Sequence, residues 1–127
     1  MRTINIHKVP GKGGSYNGNA VVVLDEPGQG GACHHYQIRH DTKDPVEGDV
    51  LCEVKFQNGP IQEFGVNGVQ QEDLLAIVID RLSAFQAGPF ANKYNAEALE
   101  YAQASLKALQ NRTLDRIARN VEGYNKE

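Results

Sequence analysis

The chain has no tryptophan, two cysteines and one methionine, and its 127 residues carry a formal charge of only −3. Without a basic excess it is not a protein that coats long nucleic acid, because such affinity comes mainly from many neutralised phosphates. No apolar run approaches the length of a membrane span, and Met1-Arg2-Thr3-Ile4-Asn5-Ile6-His7 lacks the apolar core of a secretory signal; the expected compartment is the cytosol. Cys33 and Cys52, each inside a predicted strand, read as small buried hydrophobes in a reducing compartment rather than as a disulfide. Cys33-His34-His35 is the nearest approach to a metal motif, yet neighbours in a strand point to opposite faces and no second pair sits at ligand spacing, so no metal is expected. Gly11-Lys12-Gly13-Gly14-Ser15 lacks the span and the Lys-Ser/Thr ending of a phosphate loop and reads as a mobile turn or a flap over a ligand. No segment unites a nucleophile, a base and an orienting group, which weighs against catalysis without excluding it. No cofactor is expected.

What is present divides near Gly68. Residues 1–67 read as mainly β, with short alternating segments at roughly Ile4 to Val9, Asn19 to Asp25, Cys33 to His40 and Asp49 to Gln57, broken by glycine and expected to pair antiparallel. Val21-Val22-Val23-Leu24 is apolar on both sides and reads as central, whereas Val50, Cys52, Val54 and Phe56 alternate with Leu51, Glu53, Lys55 and Gln57, giving one covered face. Residues 68–123 read as two helices. The first opens on Asn67 as N-cap with Gln70 as its reciprocal partner, runs to about Phe85, and carries Leu74, Leu75, Ile77, Val78, Ile79 and Leu82 with so little polar face that it is expected to be buried. Glu72 and Asp73 in its first turn complement the helix dipole. Gly88-Pro89 ends it. The second helix, about Asn95 to Arg119, carries Leu99, Ala102, Leu106, Leu109, Thr113 and Arg116 in alternating steps of four and three, a seam that requires a partner helix. The expectation is one α+β domain over residues 1–127, an N-terminal antiparallel β-sheet packed by two C-terminal helices, and a chain this small gains from forming a homo-oligomer.

Arg112, Arg116 and Arg119 recur at helical spacing near the end of the second helix. A row of guanidinium groups beside an apolar stripe suits a compact phosphate-bearing anion, although cations also favour the negative end of any helix. Asn95 and Arg112 lie about 25 Å apart on one straight helix, too far for one small ligand to touch both. If the connection from Phe85 to Asn95 and the terminal arginines serve one site, they come from different subunits, with two long helices antiparallel about a twofold axis. Phe85 then offers a flat face to a base and Asn95 reads a base or ribose edge, against the simpler alternatives of core packing for Phe85 and helix capping for Asn95.

Gly59-Pro60-Ile61, Gly65-Val66-Asn67-Gly68, the run Glu72 to Leu82, Phe85-Gln86, Asn95, Leu99, Arg112-Thr113, Arg116 and Val121-Glu122-Gly123 resemble the phage Thoeris anti-defence sponge family, first type. Lys8-Val9-Pro10-Gly11-Lys12-Gly13-Gly14 and His34-His35-Tyr36 extend the likeness over nearly the whole chain. The resemblance implies a non-enzymatic protein that sequesters glycocyclic ADP-ribose, the signal made by bacterial TIR proteins, in the cytoplasm of the infected bacterial host. It further implies homodimers assembling to a hexamer, with Phe85 stacked on the adenine, Asn95 hydrogen-bonded to the ligand, and Arg112 and Arg116 on its phosphates and ribose. Arg119 is a possible additional contact. Some relatives hold cyclic trinucleotides at a second site, where Lys93 stands in place of an arginine and loses the two-pronged grip. The alternatives are a small cyclic-nucleotide phosphodiesterase or hydrolase using His34 or His35 as base, and a structural or regulatory phage protein whose arginines are merely solvated.

Overall fold

Val21, Val22 and Val23 place branched side chains on both faces of one strand, a pattern that demands cover on both. That strand is internal. The computed structural model describes residues 1–10, 16–41 and 48–121, and the chain divides into two compact units, Met1–Asn58 and Gly59–Glu127. In the first, strands β1 (Arg2–Ile4), β4 (Ala20–Val23), β5 (His35–Arg39) and β6 (Val50–Lys55) form an antiparallel four-stranded sheet in the order β1-β4-β5-β6. Strands β2 (Val9–Pro10) and β3 (Tyr16–Asn17) pair as a separate two-stranded ribbon. The expected strand from Ile4 to Val9 is therefore two, because the amide of Lys8 turns back onto the carbonyl of Asn5 at 3.0 Å.

Register puts Ile4, Val21, Ile38 and Cys52 in one row. Arg2, Val23, Tyr36 and Val54 form the next row on that face, while Thr3, Val22, Gln37 and Glu53 lie on the other. Val22 and Val23 are both fully buried. A register shift at Ile38/Arg39 pairs Arg39 with Val50 and skips Leu51, so Val50 loses the phase it was expected to share with Cys52 and Val54. Cys33 is buried as expected, but Cys52 is exposed because its strand is the sheet edge. The β4–β5 connection closes on Asp25, whose carboxylate accepts the amides of His34 at 2.9 Å and His35 at 3.1 Å. The His34 amide first, and the His35 amide with it, hold the Asp25 carboxyl below its ordinary value of 3.8.

The second unit opens with α1 (Ile61–Phe64), a single turn, followed by α2 (Gln71–Gln86) and α3 (Lys93–Ala118) packed together as a helical hairpin. Before α1, Gly59 has φ +85 and a side chain there would begin 2.5 Å from the Phe64 ring. Helix α2 starts later than expected. Its N-cap is Gln70, not Asn67: the Gln70 amide donates to Asp73 Oδ2 at 2.9 Å and the Asp73 amide to the Gln70 carbonyl at 3.0 Å. A carboxylate at this position both satisfies an orphan donor and complements the dipole, which outweighs an amide partner. The expected burial of α2 is also overturned: Leu74, Leu75, Ile79, Leu82 and Phe85 are half-buried, Ile77 is 59% exposed, and no residue is fully buried. Within this unit α2 packs on one helix, α3, so only one stripe is covered.

On α3 the half-buried or buried positions are Asn95, Leu99, Ala102, Leu106, Leu109, Thr113 and Arg116, with every intervening residue exposed. This is the seam read from the sequence, and α2 is its partner. No helix among the described residues is long and apolar enough to cross a membrane.

Candidate functional site

The hairpin's connection is held by amide and aromatic contacts rather than by a hydrophobic plug. Gln86, the last residue of α2, accepts the amide of Asn92 on its side-chain oxygen at 3.1 Å. Asn92 in turn caps α3, its Oδ1 accepting the amide of Asn95 at 2.8 Å. Asn95 is thus the third helical residue and not the cap, which removes the capping alternative for its side chain. Phe85 is half-buried in the last turn of α2 and meets Phe90 edge to face at 6.3 Å between centroids. Phe90 itself is 69% exposed. The Arg81 guanidinium carbon lies 5.3 Å from the Phe85 ring centroid, and Lys93 Nζ lies 5.1 Å from that of Tyr94. One end of the hairpin therefore gathers Phe85, Asn95 and Lys93 from the expected set, together with Arg81 and Phe90, which the sequence reading missed. For Arg81 the signal was present in its four-residue spacing from Phe85.

The arginines occupy the other end of α3 and are not equivalent. Arg112 is exposed. Arg119 pairs with Asp115 at 3.0 Å between two largely exposed side chains, an i,i+4 contact that contributes little. Arg116, the last member of the seam, is 6% exposed and donates from Nη2 to the Val121 carbonyl at 2.9 Å. The local reason is the helix end. Asn120 adopts φ 57, its amide reaches the Ile117 carbonyl at 3.0 Å, and the Val121 amide reaches the Arg116 carbonyl at 2.9 Å. This is a Schellman turn, which folds Val121 back beside the Arg116 side chain. Within one chain, α3 separates Asn95 from Arg112 by about 25 Å.

The histidines lie in the β unit. His35 pairs with Glu53, and that hydrogen bond, before nearby cations, holds the Glu53 carboxyl below its ordinary value. His34 lies against Gly28 with Nδ1 buried. Among the described residues no group of three His, Cys, Asp or Glu is placed to hold a metal ion. The glycine-rich segment 11–15 and the tail from Glu122 lie outside the described residues.

Residues 48–114, slightly more than half of the chain, match the family described as Acb2/Tad1, hairpin domain. The match includes Phe85, Lys93, Asn95 and Arg112 and ends before Arg116. A relative named Thoeris anti-defense 1, from Bacillus phage SBSphiJ7, is 47% identical over 73 residues, which cover 58% of this chain and 51% of that protein. The matched segment thus spans about half the length of that relative.

Proposed function

The chain belongs to the Acb2/Tad1 hairpin-domain family, and we propose that it is a phage anti-defence sponge that binds glycocyclic ADP-ribose made by bacterial TIR proteins and withholds it from the Thoeris effector, without cleaving it. It acts in the cytoplasm of the infected host. The observation that carries this reading is a second stripe on α3. Tyr94, Ala98, Tyr101, Ser105, Ala108 and Arg112 follow one another in steps of four and three, all are exposed, and the first and third are 71% and 62% so. The stripe lies about 90° around the helix from the seam that α2 occupies, and its sole charge is at its last position. Lys93, Glu97, Glu100, Gln103 and Lys107 keep to a third, polar face.

The stripe is self-complementary. Each member has a counterpart equally far on the other side of position 103, Tyr94 with Arg112, Ala98 with Ala108 and Tyr101 with Ser105. Small residues in the middle let two helices approach closely, and an antiparallel twofold pairing sets the hairpin tip of one copy beside Arg112 and Arg116 of the partner subunit. Each dimer then holds two composite pockets, with Phe85 stacking on the adenine, Asn95 hydrogen-bonding the ligand and arginines of the opposite chain gripping the diphosphate. Such dimers assemble to a hexamer; at the second site, where some relatives hold cyclic trinucleotides, Lys93 keeps the charge but loses the fork, which weakens the grip on such a ligand.

A sponge needs affinity without turnover. Stacking a base and enclosing a diphosphate in a preformed pocket reaches nanomolar affinity, about 12 kcal/mol, with no group aligned for bond cleavage. The test is to incubate the protein with glycocyclic ADP-ribose, filter, heat the retained complex and chromatograph what is released. Intact ligand that again activates the effector is the expected result; hydrolysed product would show an enzyme instead.

A further inference from the structure

We propose that Arg81 is a further ligand-binding residue of this pocket, a phosphate contact that rests on the face of the Phe85 ring while no nucleotide is present. The inference deepens the reading above and depends on it. Arg81 stands one turn before Phe85 on the same helix, so its place beside the ring needs no second subunit. Its guanidinium carbon is 5.3 Å from the ring centroid, within the range of a cation held by an aromatic face. It is exposed, and among the described residues no carboxylate pairs with it. The residues one turn away on α2, Ile77, Val78, Ala84 and Phe85, are uncharged, so the helix itself offers it no carboxylate.

A stacked base and a guanidinium compete for one side of an aromatic ring. The contact of an exposed cation with a ring is weak, whereas an adenine buries a large flat surface, so the base displaces the cation. The displaced head group stays tethered beside the base, still charged and with its forked donors unspent, where a ribose diphosphate supplies oxygens. Phe90, edge-on to the same ring at 6.3 Å, limits where Phe85 can turn and keeps the exchange local.

The experiment measures the dissociation constant of glycocyclic ADP-ribose for the full chain carrying Arg81→Ala, Arg81→Gln or Arg81→Lys, with Phe85→Ala as reference. The Ala and Gln variants are expected to bind roughly tenfold or more weakly, as loss of a charge-assisted hydrogen bond implies, with Lys recovering part of the difference. The weakening is expected to shrink as salt is raised, which loss of ring positioning alone would not produce. Unchanged or tighter binding by Arg81→Ala, with Phe85→Ala inactive, overturns the role of Arg81 and leaves the sponge reading standing. A wild-type chain that binds nothing overturns both.

Discussion

Arg116 and Val121 hold each other twice: the guanidinium of Arg116 donates to the Val121 carbonyl at 2.9 Å, and the Val121 amide donates to the Arg116 carbonyl at the same distance. The side chain therefore closes the helix end. Arg116→Ala is expected to lower stability by about 1–3 kcal/mol, because a partly buried carbonyl loses its donor. Arg112→Ala, at an exposed position, should change stability by less than about 0.5 kcal/mol while weakening ligand capture. Denaturant unfolding beside isothermal titration separates the two effects, and equal unfolding midpoints would contradict the structural role of Arg116.

The composite pocket makes a prediction that no single-chain site shares. Phe85→Ala and Arg112→Ala should each abolish capture alone. Co-expressed in equal amounts with different tags, they form mixed dimers in which one pocket receives intact Phe85 from one chain and intact Arg112 from the other. Binding capacity should return to about a quarter of wild type, since half the dimers are mixed and each carries one intact site. No recovery would place both residues in the pocket of one chain.

Close packing of the second stripe is open to disruption at its smallest members. Ala108→Arg sets a long charged side chain against the stripe's own counterpart, Ala98 of the partner subunit, and is expected to shift the protein toward monomer in light scattering. Its far-ultraviolet circular dichroism should stay unchanged, because Ala108 is exposed on a helix and arginine is a good helix former.

Asp25 predicts an acid limb. Its folded carboxyl titrates below 3.8, the unfolded value, so the stability it contributes is present above that pH and is lost as pH falls through the lower folded value. Asp25→Asn should be less stable than wild type at neutral pH, with the difference narrowing on acidification from about pH 4 downward. Thermal midpoints across that range provide the check; a gap that stays constant would remove the carboxylate as the cause.

Local and periodic features were legible before any coordinates. Every member of the seam from Leu99 to Arg116 is half-buried or buried on α3, with Asn95 extending it by one further step, because a helix fixes which residues share a face whatever it packs against. Val21 to Val23 declared an internal strand for the same reason, since branched side chains on both faces need cover on both. The likeness to the anti-defence sponges also needed only the order and spacing of residues.

The tertiary structure alone decided what depends on the return of the chain. Whether Asn67 or Gln70 caps α2 turned on which amide meets the Asp73 carboxylate, and whether Asn92 or Asn95 caps α3 turned on the backbone leaving the hairpin loop. The exposure of Cys52 followed from the position of β6 at the sheet edge, and the burial of Arg116 from the left-handed turn at Asn120. Arg112 and Arg116 look alike as letters four apart, yet Arg116 lies on the seam and is closed over by the fold-back of Val121, while Arg112 stays exposed.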